Sequence, residues 1–316
     1  IIHPVSGPTV FQRYGKDDSE SIYSISRAEL NKMLMSIAES TGKVKIHFQE
    51  KLVSVDFGNK KLNFQNDKTK DSKHVSFSQV FGTDGSASVL RHTMKEKFHH
   101  EESESLLNYG YKELTMTPGP QSTFKMEKHG LHIWPRGSYM VIALPNFDGS
   151  FTCTLFFPFE GDPSFTSLDT AEKVKEFFQN NFTDAYEMMP ELTQEFFSNP
   201  TSSLVTVRCF PWVREDHFSL IGDAAHAIVP FFGQGMNCGF EDVSVLWEML
   251  QSASERLRSI PWEKVFSDFV LVKLIHSIHI FAPADDLADE TLEAIERDFI
   301  FGSGLQGFLD YFGRCD

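Results

Sequence analysis

The sequence predicts a mixed α/β fold with α+β elements, in which two segments of one α/β domain flank an antiparallel sheet domain and a helical segment follows. Two strand–turn–helix patterns predict the α/β segments. One strand ends at Gly222-Asp223 and the other at Asp84-Gly85, and a helix follows each turn. Long alternating strands at residues 109–116, 131–146 and 150–159, with a turn at Asp148-Gly149, predict the antiparallel sheet. We therefore divide the chain into residues 1–105, 106–208, 209–260 and 261–316.

Length and charge limit the class of protein. The 316 residues suffice for two compact units, and the net charge of −15 argues against partners such as nucleic acid or an anionic membrane surface. The most apolar late run, residues 269–281, contains Lys273 and is too short to span a bilayer. Four widely spaced cysteines fit a reducing, cytoplasmic location and predict neither a metal site nor a disulfide framework: Cys153, Cys209, Cys238 and Cys315.

The first elements are a hairpin and a capped helix. Residues 1–15 form two arms around a Ser-Gly-Pro turn, and Ser26 with Glu29 forms a capping box. Gly42 ends this helix, and Arg27 places a cation where the helix dipole favours an anion, so a negative partner is expected. The apolar face is Leu30, Met33, Leu34 and Ile37. Strands are predicted next at residues 44–48, 51–57, 61–64 and 75–81.

The last of these strands leads into residues 82–91, GTDGSASVLR. Gly85 permits a sharp turn after the strand, and Ser88 caps or packs the following helix. Beyond the antiparallel sheet, residues 168–199 predict one or two helices, residues 204–210 a strand and residues 262–272 an amphipathic helix.

The stretch from residue 218 to residue 242 is the most informative. Its strand breaks at Gly222-Asp223, and the chain then crosses a glycine-containing loop into a helix whose N-terminal N–H groups are free for a ligand. Asp223 either caps the turn or holds a ligand hydroxyl. One face of the helix is apolar: Met236, Phe240, Val243, Trp247 and Leu250.

The Asp84-Gly85 and Gly222-Asp223 motifs, about 140 residues apart, resemble the middle and second cofactor motifs of the flavoprotein aromatic hydroxylases. The resemblance implies a Rossmann-like FAD-binding domain that is incomplete at its N-terminus, because the family's opening G-x-G-x-x-G is missing. It also implies NADPH as reductant. The implied cofactor-binding residues are Arg27, Asp84, Gly85, Gly222, Asp223, Pro230, Gly233, Gln234, Gly235, Met236 and Asn237.

The WPRG run and the strands around residues 143–153 are most similar to family members that hydroxylate L-kynurenine at ring carbon 3. The resemblance implies that O₂ reacts with reduced FAD through a flavin C4a-hydroperoxide, so no catalytic side chain and no metal are expected. In those members the residue matching Tyr14 binds the substrate carboxylate. The implied substrate-binding residues are Tyr14, Leu131, Met140, Ile142, Leu144, Phe156, Pro230 and Phe231.

The resemblance ends near Val272, where the family's Asn-Tyr-x-Glu-Met-Arg helix is not found. A late Gly302-x-Gly304-x-x-Gly307 pattern is interpreted as coincidence, since too few residues follow it for a βαβ unit. Two alternatives stay open: a flavin-binding homologue that is catalytically incomplete, and a hydroxylase of another aromatic acid. Association with the outer mitochondrial membrane is open, and the sequence does not predict an oligomeric state.

Overall fold

The computed structural model describes residues 1–13, 15–16, 21–98, 101–214, 216–256 and 260–281. Tyr14 and the late glycine pattern therefore lie outside the described residues. Within them the helices are α1 (Arg27–Ser40), α2 (Val89–Phe98), α3 (Ala171–Asn181), α4 (Thr183–Tyr186), α5 (Leu192–Ser198), α6 (Asp223–His226), α7 (Gly235–Arg256) and α8 (Trp262–Phe281). The strands are β1 (Glu50–Asp56), β2 (Lys61–Asn66), β3 (Ser72–Ser76), β4 (Val80–Gly82), β5 (Glu101–Met116), β6 (His132–Arg136), β7 (Tyr139–Pro145), β8 (Phe151–Pro158), β9 (Ser202–Phe210), β10 (Val213–Arg214) and β11 (Phe218–Leu220).

The described chain divides into two compact units. The sheet unit contains Ile1–Ile46 and Leu107–Leu204, and the α/β unit contains His47–Leu106 and the described residues from Val205 onward. Two of these boundaries fall inside strands β5 and β9. The structure thus groups the hairpin and α1 with the sheet, whereas the sequence division placed residues 1–105 in one segment.

The sheet unit is built on five strands in the order β6-β7-β8-β5-β9. β6 and β7 form an antiparallel hairpin that turns at Gly137, whose φ is +65°, so the single long strand predicted there is two strands. β7 and β8 are joined through the predicted Asp148-Gly149 turn, where Gly149 has φ +84°. The hairpin predicted at the start is present as a bridge between Ile2 and Val10.

The two faces of this sheet differ in composition. One face packs with α3, α4 and α5 into a core that includes Trp134, Val141, Leu155, Phe157 and Phe178. The alternation predicted for β7 is confirmed, because Val141 and Ala143 belong to that core while Met140, Ile142 and Leu144 point to the other face.

Helix α1 has the predicted start and end. The Ser26 hydroxyl accepts the N–H of Glu29 at 3.4 Å, and Gly42 follows the helix with φ +68°. No residue of α1 is buried. Its predicted apolar face is therefore largely exposed to solvent, with Met33 at 49% and Ile37 at 56% exposure.

The α/β unit contains two small sheets, β1-β2-β3 and β10-β11-β4. The strand predicted at residues 75–81 is wrong as one element. The N–H of Phe77 still bonds to Lys60 beside β2, whereas the N–H of Val80 bonds to His217, so the chain changes sheets between them. The strand predicted at residues 44–48 is also wrong. Val44 and Phe48 are exposed there, and the described residues provide no neighbouring strand to pair with them.

The core of the α/β unit joins α2, β11, α7 and α8, with Leu90, Leu220, Leu246 and Phe266 among its buried residues. The helix predicted after the glycine loop is present as α7, but its predicted apolar face is not the buried one. Val245 and Leu246 are buried, and the exposed residues are Met236, Phe240, Val243 and Trp247. Among the described helices, none combines the length and apolarity that crossing a bilayer requires.

Candidate functional site

The two cofactor motifs follow neighbouring parallel strands. Gly82 at the end of β4 and Leu220 at the end of β11 are register partners, and the N–H of Ile221 donates to the carbonyl of Gly82 at 3.0 Å. Carboxyl ends of parallel strands lie at one sheet edge, which is where open α/β sheets bind ligands. The structure therefore brings the Asp84-Gly85 and Gly222-Asp223 motifs to the same edge.

The Gly222 turn requires glycine because its φ of +61° is a conformation that other residues adopt rarely. A Cβ there would lie 3.8 Å from the Cα of Gly239 in α7, an ordinary van der Waals contact, so α7 packs closely behind the turn. Gly222, and not Asp223, is the N-cap of α6. Asp223 is instead an exposed residue of the first turn, so the capping alternative is not what the structure shows.

The start of α7 lies beside the Asp223 carboxylate. Asp223 Oδ1 is 3.9 Å from the position that a Cβ on Gly235 would take. The first N–H groups of a helix lack acceptors within the helix and carry partial positive charge. A polar ligand at this place could therefore meet a carboxylate and backbone donors together.

The loop before α7 leaves its backbone accessible. Pro230 opens a short 3₁₀ turn, and Gly233 follows it in the left-handed region at φ +65°. No described atom lies within 4 Å of the position where a Cβ on Gly233 would stand. Within the loop, the Asn237 side chain donates to the Gln234 side chain at 3.0 Å. A flat ring could approach this backbone closely, which is the fit that a flavin requires.

Asp84 has a structural use in the described chain. Its Oδ2 accepts the N–H of Val89 at 2.8 Å and the N–H of Leu90 at 3.4 Å, so it caps α2. Ser88 also caps this helix, as predicted, by accepting the N–H of Arg91 at 3.0 Å. Gly85 has φ +80° with open space beside it. The predicted contacts of Asp84 and Gly85 with the cofactors stay predictions.

Arg91, the last residue of the middle motif, ties the two motifs together. Its buried guanidinium donates to the carbonyl of Ala224 at 3.0 Å and to the carbonyl of Ser86 at 2.6 Å. Two carboxylates, Glu102 and Glu104, neutralise it. Because Ala224 directly follows Gly222-Asp223, this side chain fixes the distance between the two turns.

The same carboxylates form a group that could be mistaken for a metal site. His92, Glu102 and Glu104 each place a ligand atom within 4.8 Å of the others. However, the Arg91 guanidinium already holds one oxygen of each carboxylate. A metal ion would have to share them with a buried cation, so we interpret the cluster as an ion-pair group.

The sequence did not predict a buried network of hydrogen bonds and ion pairs behind the Gly222 turn. Asp242 of α7 is fully buried, and its Oδ2 accepts the N–H of Gly222 at 2.8 Å and Nε2–H of His226 at 2.7 Å. Lys273 of α8 lies against the same carboxylate. The available signal was a second helical period, residues 242, 245, 246 and 249, which places a carboxylate on an apolar face.

Five of the predicted substrate residues lie in the sheet unit. Met140 and Phe156 are register partners on β7 and β8, and both are buried outside the two main cores. Ile142 and Leu144 continue the same face of β7 and are partly exposed. Leu131 precedes β6 and is partly exposed. These residues form a mostly apolar strip along one face of the sheet.

The remaining predicted site residues are placed separately. Arg27 stands at the start of α1 with an exposed side chain, and its expected negative partner in the described structure is Glu113, at 3.3 Å. Pro230 is exposed and Phe231 is buried in the α/β unit. The predicted roles of Arg27 as a phosphate ligand and of Pro230 and Phe231 as substrate contacts stay predictions.

Comparison with known proteins agrees with the motifs. A protein-family model described as "FAD binding domain" matches residues 6–256. The chain is 48% identical over 293 residues to kynurenine 3-monooxygenase of Myxococcus xanthus (strain DK1622), an alignment that covers 93% of this chain and 60% of that protein. The likeness therefore extends past Val272, where the sequence analysis expected it to end. It is also 48% identical over 255 residues to kynurenine 3-monooxygenase of Dictyostelium discoideum, covering 80% of this chain and 54% of that one. The chain thus spans less than two thirds of the length of these curated relatives.

Solved structures share the fold. The tetrameric form of 2-methyl-3-hydroxypyridine-5-carboxylic acid oxygenase matches with a TM-score of 0.59 at 19% identity, over 80% of this chain and 62% of that one. A single-residue variant of Klebsiella pneumoniae HpxO complexed with FAD matches with a TM-score of 0.56 at 15% identity, over 92% of this chain and 68% of that one. These likenesses confirm the predicted α/β fold class with its antiparallel sheet.

Proposed function

We propose that this chain, which belongs to the FAD-binding domain family, acts in the hydroxylation of L-kynurenine to 3-hydroxykynurenine with NADPH and O₂ as co-substrates. The observation that carries the proposal is the 48% identity to a kynurenine 3-monooxygenase across 93% of the chain. The placement of both cofactor motifs at one sheet edge supports it.

The α/β unit offers the groups that a flavin needs. When bound and reduced by NADPH, FAD supplies the activation of O₂ from which one oxygen atom reaches the substrate ring. The Asp223 carboxylate can accept a hydrogen bond from a hydroxyl of the ribityl chain. The N-terminus of α7, beginning at Gly235, favours negative charge on a reduced ring placed above it.

The sheet unit offers a surface for the substrate ring. The strip formed by Met140, Ile142, Leu144 and Phe156 is apolar, and its partly exposed residues Ile142 and Leu144 offer a surface that packs against an aniline ring and excludes water from it. These side chains have no proton to transfer. Their part in the proposed reaction is therefore orientation and desolvation of the ring.

The first test measures FAD binding by the purified chain and by an Asp223→Ala variant. Loss of a charged acceptor weakens binding by about 10- to 100-fold. Asp71→Ala, which removes an exposed aspartate from a turn of the same unit, is the matched control and leaves the Kd unchanged. Failure of the unmodified chain to bind FAD would contradict the proposal.

The second test measures NADPH oxidation with and without L-kynurenine and identifies the product by mass spectrometry. Stimulation with formation of 3-hydroxykynurenine supports the proposed reaction. Bound FAD without stimulation would instead identify a catalytically incomplete homologue. Stimulation by another aromatic acid alone would replace the proposed substrate.

A further inference from the structure

The Gly222 turn is held from behind by a carboxylate that has no contact with solvent. Asp242 has 0% exposure, and one of its oxygens accepts both the N–H of Gly222 and Nε2–H of His226. The carbonyl of Gly222 in turn accepts the N–H groups of Ala225 and His226 at 2.8 and 3.0 Å. Asp242 therefore closes a ring of hydrogen bonds around the residue that precedes Asp223.

A buried lysine faces the other oxygen of Asp242. Lys273 of α8 is 2% exposed, and its Nζ lies 3.1 Å from Asp242 Oδ1. The two atoms are not aligned as a hydrogen bond, so the contact is mainly electrostatic. Lys273 also forms an ion pair with Glu241, the neighbour of Asp242 on α7.

The ionised form of Asp242 depends on these partners. Burial alone raises the pKa of the carboxyl group, but the hydrogen bond and charge of His226, the N–H of Gly222 and the charge of Lys273 outweigh it and lower the pKa. A buried carboxylate that loses its cation is strongly destabilised. Lys273 therefore helps to keep Asp242 ionised, and an ionised carboxylate is the stronger acceptor for Gly222.

We propose that Asp242, supported by Lys273, is the positioning residue that sets the Gly222-Asp223 turn in its flavin-binding conformation. The packing of α8 on α7 is thereby coupled to the shape of the cofactor turn. The turn's role as a flavin site rests on the proposed function, whereas its restraint by Asp242 does not.

The test compares Asp242→Ala and Lys273→Met with Lys264→Met, whose lysine lies on the same helix but pairs with Asp268 on the surface. Amide hydrogen exchange of residues 218–226 is measured without any flavin. Both network variants exchange faster in this segment, by about tenfold or more, and the control exchanges like the unmodified chain. If Asp242→Ala does not fold, Lys273→Met carries the test. Unchanged exchange in Lys273→Met would overturn the proposal.

The second measurement is the Kd for FAD of the same variants under conditions where each remains folded. Lys273→Met raises the Kd by about tenfold, and Lys264→Met leaves it unchanged. Faster exchange with an unchanged Kd would mean that the network supports packing only, which contradicts the positioning role. If the unmodified chain binds no FAD, the proposed function fails, and the exchange result alone decides whether Asp242 restrains the turn.

Discussion

Helices α1 and α3 of the sheet unit have the same sequence pattern, an N-cap hydroxyl followed by an apolar face, but they differ in how far that face is buried. Each starts with a hydroxyl N-cap, since Ser26 accepts from Glu29 and Thr170 accepts from Lys173. Each carries apolar residues at helical spacing. In α3 these residues, Val174, Phe177 and Phe178, are buried, whereas no residue of α1 is buried.

The difference shows what helical periodicity does and does not determine. Apolar residues three and four positions apart establish that a helix has an apolar face. What covers that face depends on tertiary contacts that the pattern does not contain. The stability that each helix contributes should therefore differ much more than their sequences do.

The largest expected difference comes from truncating one apolar residue on each helix. Phe178→Ala removes a fully buried ring, and we expect a loss of about 3–5 kcal/mol in the free energy of unfolding. Ile37→Ala on α1 should change it by less than about 0.5 kcal/mol. Urea denaturation of both variants measures this. A large loss for Ile37→Ala would show that the α1 face is covered in solution.

The second-largest effect on stability is expected from the hydrogen bonds of Asp184, which lies in α4 directly after α3. Asp184 of α4 accepts from His3 at 2.9 Å and from Trp134 at 2.9 and 3.0 Å. Burial raises its pKa, but these hydrogen bonds outweigh it and lower the pKa to about 2. The folded-state pKa is thus below the ordinary 3.8, so the stabilisation is complete above that value and is lost as the pH falls through about 2.

We therefore expect Asp184→Asn to lower the free energy of unfolding by about 1 kcal/mol near neutral pH, a value reduced for solvent screening because the side chain is half exposed. The difference from the unmodified chain should shrink as the pH approaches 2. Glu29→Gln, which breaks an exposed pair with Lys32 on α1, is the control and should have no measurable effect. A difference for Asp184→Asn that does not depend on pH would contradict the assignment.

Removing the N-cap hydroxyls of α1 and α3 should give a smaller difference in the free energy of unfolding. Thr170→Ala should lower the free energy of unfolding by about 1 kcal/mol, because the first turn of α3 packs in the core. Ser26→Ala removes a bond of the same type, but α1 can fray locally, so we expect a global change below about 0.5 kcal/mol. Amide exchange of each first turn distinguishes local fraying from global unfolding. Equal global losses would indicate that α1 is as tightly docked as α3.

The smallest expected effect on stability comes from a charge on the exposed face. Met33→Glu should leave the free energy of unfolding within about 0.5 kcal/mol, because the side chain is already half in solvent. Self-association at high protein concentration should decrease, since exposed apolar side chains promote it. Sedimentation velocity measures the association, with Glu29→Gln as the comparison. Unchanged association would show that this face does not contribute to it.

The turns and caps of the two motifs were predictable because local chemistry determines them, whereas their assignment to a cofactor came from the resemblance to the flavoprotein aromatic hydroxylases. Gly222 and Gly233 adopt positive φ, and Ser88 caps α2, all of which the residue types indicate without tertiary information. The strand alternation of β7 was predictable for the same reason. Asp84 illustrates the limit, since its carboxylate caps α2 and a ligand role cannot be distinguished from a cap by its position in the sequence.

Contacts between distant residues could not be predicted. The hydrogen bond from the Gly222 N–H to Asp242 joins two elements, and the bond from Arg91 to the carbonyl of Ala224 joins residues 133 positions apart in the sequence. The face of α7 was misjudged because both of its helical periods are largely apolar, and only packing selects Val245 and Leu246 over Phe240 and Trp247. β-strand propensity likewise could not show that residues 75–81 pass from one sheet to another.

The parallel pairing of β4 with β11 has a consequence for how the chain is made. β4 is complete once Gly82 has been synthesised, but its partner residues begin at Phe218, after the whole of β5 to β9. Because ribosomes synthesise the chain from its N-terminus, β4 of the nascent α/β unit stays without its partner β11 while the intervening sheet is translated. An early folding step in the sheet unit would shorten the loop that β4 has to close.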